Sequence, residues 1–186
     1  MYLCWDDLEV MTLNLSHLCK GLPAITPAYD AVLMEAAAIC LAEQGHLPGV
    51  CLEITGEVTE DCELLWPEVT AQMRLCWNDL EYTTEQGAYA VALLLMGRLT
   101  GFSVIRRSRK GTGYDYLLGY VEESHGVNYL RGMARLEVSG IRSGNDRLVK
   151  SRVKLKLEQV KPTDGRLPAY IVVVEFSGPL AQVVRK

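Results

Sequence analysis

The chain lacks any uninterrupted apolar run of about 18 residues, so no segment reads as a membrane-crossing helix. It has six cysteines, at Cys4, Cys19, Cys40, Cys51, Cys62 and Cys76, yet none are spaced CxxC or CxxxC. That absence removes the usual zinc and dithiol-redox patterns. Histidine is scarce: His17, His46 and His125 are scattered, and none has a second ligand at metal-binding spacing. No Ser-His or Cys-His nucleophile can be argued. The phosphate-loop pattern GxxxxGK[ST] is missing too. Lys110-Gly111-Thr112-Gly113 precedes a strand-like segment, not a helix, and reads as a tight turn. The opening MYLCWDDLEV carries acids where a signal peptide carries basic residues, so reduced thiols and a cytoplasmic location are expected. There is no internal repeat and no low-complexity segment.

Basic residues are nearly absent from the first half. Residues 1–97 hold fifteen Asp and Glu against Lys20 and Arg74 alone, a balance of −13, while residues 98–186 balance at +9. The whole-chain charge of −4 conceals this division. Such asymmetry points to a basic, phosphate-facing surface on an acidic support, or to an acidic segment that docks on a basic partner or on a second copy. The 186 residues are 49% hydrophobic and 23% charged, which suits a globular chain and excludes disorder and coiled coil.

Thr26-Pro27 is a helix opening, a capping residue before proline at the first helical position, and Gly45 closes that helix after Gln44. Its run AVLMEAAAICLA is apolar nearly all round, predicting burial on most sides. Residues 45–61 suggest a short strand around VCLEI. Trp66, Val69, Met73, Cys76 and Leu80 recur at helical spacing and predict a second helix over about 60–82. A third begins at Thr83, with Gln86 at the capping-box position, and ends at Gly101. FSVIRRS, YDYLLGYV and ARLEVSGI then read as three strands. Residues 146–161 fit either a strand, by the alternation of SRVKLKLE, or a helix, by Val149, Val153, Leu157 and Val160; their length favours helix. AYIVVVEF is a buried strand. Residues 1–25 carry only weak periodicity, a loose helix or strand plus loop.

Three acids occupy unusual positions. Asp115 follows the glycine turn and enters an apolar strand, Glu137 lies between Leu136 and Val138, and Glu85 extends the stripe Ala88, Ala92, Leu95, Leu99, which aims it at the sheet. A lone carboxylate among buried residues costs several kcal/mol unless a partner or cation meets it. Arg106, Arg107, Arg109, Arg131 and Arg135 are available as plain salt-bridge partners.

The order helix–strand–strand–strand–helix–strand, with GTGYDYLLG on its second strand and LEVSG on its third, resembles the PD-(D/E)XK nuclease superfamily. The resemblance covers about residues 83–177. It implies an α/β (α+β) restriction-endonuclease-like core over 83–186, with 1–82 as an N-terminal helical elaboration packed on it in one compact domain. It implies that Asp115 and Glu137 bind Mg²⁺ or Mn²⁺ and that Glu85 orients the metal or a water. Ser139 stands where the E-x-K lysine belongs. If 146–161 is helical, Arg152, Lys156 and Gln159 share one face, making Lys156 the candidate displaced lysine and Gln159 a polar contact. Arg106, Arg107, Arg109, Lys110 and Arg152 are the expected phosphate contacts. The resulting expectation is a metal-dependent nuclease or nuclease-like subunit, acting on DNA in preference to RNA. The alternative is an inactive module of the same fold that binds nucleic acid or a protein partner, including another copy of itself. A third is an interaction protein whose carboxylates are merely salt-bridged.

Overall fold

A computed structural model of the chain describes residues 11–20, 22–124 and 127–186, with side chains left aside for 19, 20 and 121–130. Cys4, His125 and the start of the weakly periodic 1–25 segment therefore lie outside the described residues.

One mixed eight-stranded sheet organises the chain. Its strands are β1 (Met11–Asn14), β2 (Val50–Gly56), β3 (Glu60–Leu65), β4 (Ser103–Arg107), β5 (Tyr116–Ser124), β6 (Val127–Ile141), β7 (Ala169–Glu175) and β8 (Leu180–Arg185). They lie in the order β1-β3-β2-β8-β7-β6-β5-β4. The meander β4–β5–β6 is antiparallel, β6 and β7 are parallel, and β7 and β8 are antiparallel. The helices are α1 (Pro27–Glu43), α2 (Ala71–Cys76), α3 (Leu80–Thr100) and α4 (Asp146–Gln159). The stretch from α3 to β7 thus runs helix, three strands, helix, strand. None of the described helices is long and apolar enough to cross a membrane.

The expected opening of α1 is present. Thr26 accepts a hydrogen bond from the Tyr29 N–H, and Pro27 occupies the first helical position. Its alanine-rich run packs against α3 so closely that a Cβ on Gly87 would lie 3.1 Å from the Ala37 Cα. Together they cover one face of the sheet, over the large core built from Leu33, Leu41, Ala88, Leu95, Leu136 and Val172. On the other face α4 lays Val149 and Val153 against Ile141, Ile171 and Val173. The ambiguous segment is thus a helix over Asp146–Gln159, with Val160 as its C-terminal cap residue. Asn145 caps it by accepting from the Leu148 N–H.

Three expectations need correction. Residues 60–82 are not one helix: Glu60–Leu65 is β3, paired antiparallel with β2, and only Ala71–Cys76 is helical. Cys62, Leu64 and Trp66 are buried while Asp61 and Glu63 are exposed, which is strand alternation. Cys76, expected on a buried face, is exposed. Helix α3 starts earlier than Thr83: the Asp79 carboxylate accepts from the Glu81 and Tyr82 N–H groups. Gln86 caps nothing; it is buried and accepts from the Tyr29 hydroxyl at 2.9 Å. Finally, residues 11–65 put three strands into the sheet, so this part is not merely helical: β2 is the short strand expected around VCLEI, while β1, β3 and, at the other end of the chain, β8 lie beyond the expected ones.

Candidate functional site

The sheet offers a site where β5 begins and β6 runs on beyond it. The pairing of these strands starts at Tyr116↔Leu136, and Asp115 donates its N–H to the Leu136 carbonyl at 2.8 Å. Past that point β6 has no β5 residue beside it. The Asp115 carboxylate fills the place, accepting the Val138 N–H at 2.8 Å. The turn before Asp115 presses on the end of α4: Gly113 has φ +79°, and a Cβ there would collide with the Gln159 carbonyl. Asp115 is thereby locked between the end of one strand and the middle of the next.

Glu137 is 1% exposed and faces α4. Its Oε1 accepts from Lys156 Nζ at 2.5 Å and from Gln159 Nε2 at 2.8 Å. Its Oε2 is buried with no hydrogen-bond partner. Burial above all, and then the neighbouring Asp115 charge, push Glu137 up to about 7 against the pull of Lys156. Burial also raises Asp115, opposed by the Val138 N–H and by Lys156. Burial of the two acids side by side, with one oxygen bare, outweighs the single charge of Lys156 on Glu137 and favours a further proton or cation there.

Tyr89 closes the site from α3. Its hydroxyl lies 3.1 Å from both Asp115 Oδ1 and Glu85 Oε1, and its single proton serves one of them at a time. The ring packs edge-on against Tyr116, 5.3 Å between centroids. Glu85 itself is exposed at the lip of the cleft and does not point into the sheet. It sits one turn ahead of Tyr89, and while its neighbours Thr83, Thr84 and Gln86 are buried, Glu85 itself falls on the side of α3 that faces the open cleft.

These side chains line an open cleft of about 710 Å³ between the N-terminal turn of α3, the end of β6 and one face of α4. Arg152, Lys156 and Gln159 share that face as expected. Arg152 donates to the Ser139 hydroxyl at 2.9 Å. Arg142 borders the cleft and pairs with Glu43. Among the described residues no arginine pairs with Asp115 or Glu137, and no three His, Cys, Asp or Glu side chains form a metal cage.

The other expected phosphate contacts lie elsewhere. Arg106, Arg109 and Lys110 are exposed on edge strand β4 and its turn, outside the cleft lining. Arg107 is engaged: its guanidinium stands over the Tyr29 and Tyr116 rings and donates to the Tyr29 hydroxyl at 2.9 Å. Tyr116 is core, as its place opposite Asp115 suggests. Sequence reading missed Tyr89, Arg142 and the partnership of Ser139 with Arg152. Tyr89 alone left a signal, four residues after Glu85 on the same helix face.

No family model matches the chain, and neither a curated protein nor a solved structure matches it.

Proposed function

We propose that the chain is a metal-dependent phosphodiesterase, a nuclease of restriction-endonuclease-like fold, with its active site at Asp115 and Glu137. One observation carries the reading: the buried, partnerless Glu137 Oε2 beside the Asp115 carboxylate. The donor set fits a hard divalent cation, since Mg²⁺ takes one or two carboxylates and completes its shell with waters and substrate phosphate. A bound cation there supplies neutralisation of phosphate charge and a more acidic water. Asp115 and Glu137 hold the position. The Val138 N–H and the Tyr89 hydroxyl fix the Asp115 rotamer. Lys156, tied to Glu137 and to Gln159 Oε1 at 3.2 Å, brings a positive charge to the place where the attacking water and the developing phosphorane oxygens would sit. This is the displaced lysine that Ser139 requires. The element order α3–β4–β5–β6–α4–β7 is the order on which the nuclease resemblance rests, and it supports the reading.

The reading is tested by incubating the purified chain with plasmid, single-stranded DNA and RNA in Mg²⁺, in Mn²⁺ and in EDTA. Cleavage that needs the metal and vanishes in Asp115→Ala and Glu137→Ala supports it, with DNA preferred over RNA. Binding without cleavage, unaltered by either substitution, replaces it with the non-catalytic module.

A further inference from the structure

The cations of the cleft are not equivalent. Lys156 is matched by Glu137 and Arg142 by Glu43. Arg152 is half-buried, yet among the described residues no carboxylate lies within ion-pair reach of it. Its one hydrogen bond goes to a neutral hydroxyl, Ser139 Oγ, which leaves most of its five N–H donors free. A guanidinium so placed is an uncompensated charge with a fixed direction, suited to a phosphate oxygen pair.

Its position along the cleft is fixed by the chain. Strand β6 and helix α4 run in opposite directions, so Glu137 meets Lys156 and Gln159 while Ser139 meets Arg152. The step from Lys156 to Arg152 is four helix residues, about 6 Å. The step from Glu137 to Ser139 is two strand residues, about 6.6 Å. Both are on the order of the spacing between successive phosphates of an extended strand.

We propose that Arg152, oriented by Ser139, clamps the phosphate one nucleotide away from the phosphate at Asp115 and Glu137. The site then selects a polymeric or oligomeric phosphodiester over an isolated one. Arg152 is the substrate-binding residue and Ser139 its positioning residue. Serine suits this task because its short side chain leaves room for the guanidinium and still accepts a hydrogen bond. The inference rests on the phosphodiesterase reading and adds the substrate length to it.

The test compares bis(p-nitrophenyl) phosphate, which has no neighbouring phosphate, with a short single-stranded oligonucleotide, both in Mn²⁺. Arg152→Ala and Arg152→Gln should raise the oligonucleotide KM by between about 10- and 100-fold, the loss of a charge-assisted contact, with kcat held. Both should lower turnover of bis(p-nitrophenyl) phosphate by a much smaller factor than they lower oligonucleotide kcat/KM. Ser139→Ala should move the oligonucleotide KM the same way by a smaller factor, and Ser139→Thr, which keeps the hydroxyl, should restore it. Equal losses on both substrates would place Arg152 on the scissile phosphate and overturn the inference. An unchanged oligonucleotide KM would overturn it as well. In either case a wild-type chain that still cleaves leaves the phosphodiesterase reading standing. A wild-type chain that cleaves neither substrate overturns both.

Discussion

Replacing Glu137 with glutamine separates the charge of that side chain from its shape. Glutamine keeps a carbonyl oxygen for Lys156 and Gln159 to bind, and cannot ionise. In the folded, metal-free chain Glu137 ionises near 7, against 4.5 for an ordinary glutamate. Between those values the native state holds a proton that the unfolded chain has released, so rising pH favours unfolding. The contribution is complete below the unfolded value and is lost once the pH passes the folded one. At about 1.4 kcal/mol per pKa unit the whole span is worth on the order of 3 kcal/mol. Titrating groups away from the site are common to both proteins and cancel in the comparison, while Asp115 and Lys156, which touch Glu137, shift with the substitution and set the size of the gap. In EDTA, wild type and Glu137→Gln should melt close together at roughly pH 5, and the variant should pull ahead by roughly pH 8.5. At about 2–4 °C per kcal/mol for a chain of this size, the gap should open by about 6–12 °C. Saturating Mg²⁺ should close it by stabilising the ionised wild type. If the gap stays constant, or wild type gains on the variant as pH rises, the ion pair with Lys156 outweighs burial. Glu137 then needs no cation beyond Lys156.

Three further outcomes follow from the packing. Arg135 is 3% exposed and donates to the Leu167 and Val160 carbonyls at 3.0 Å each and to the Thr163 hydroxyl. Arg135→Met keeps most of the volume but orphans these acceptors, and urea unfolding should show a loss of about 3–5 kcal/mol. A Cβ on Gly140 would collide with the Thr84 carbonyl of α3. Gly140→Ala should therefore cost about 1–3 kcal/mol by the same assay and displace the helix that carries Tyr89. Tyr89→Phe should leave the melting temperature nearly unchanged but weaken divalent-cation affinity about tenfold, because the group that orients Asp115 is gone. Titration calorimetry with Mn²⁺ checks this.

The carboxylate pair was legible in the sequence because a charge inside an apolar strand is conspicuous whatever surrounds it. Asp115 and Glu137 both lie in such segments, and the structure brings them together. The α4 residues were legible by their spacing once the helix was chosen over the strand. Alternation alone could not choose, since Val149 and Val153 satisfy the helix and SRVKLKLE the strand. Residues 60–82 misled because Trp66, Val69, Met73, Cys76 and Leu80 imitate helix spacing across a loop, a short helix and the first residue of α3, just after strand β3. The pairing that decides against it is with β2, a long-range contact the local pattern does not carry. The basic cluster Arg106 to Lys110 was legible as a charged segment, but its place relative to the cleft was not. Charge density marks an exposed segment, but Arg107 spends its charge on tyrosine rings and the others lie off the cleft. Ser139 was visible only as a missing lysine; that it receives Arg152 depends on the register between β6 and α4.

Asp115 and Glu137 are proposed to hold one divalent cation together. Mn²⁺ binding to the purified chain, followed by electron paramagnetic resonance of the free ion, tests it most directly. The account predicts one ion per chain, weaker binding as the pH falls below 7 and Glu137 is protonated, and loss of the site in both Asp115→Asn and Glu137→Gln. Stoichiometric binding that survives either substitution, or no binding at all in the wild type at alkaline pH, would contradict it.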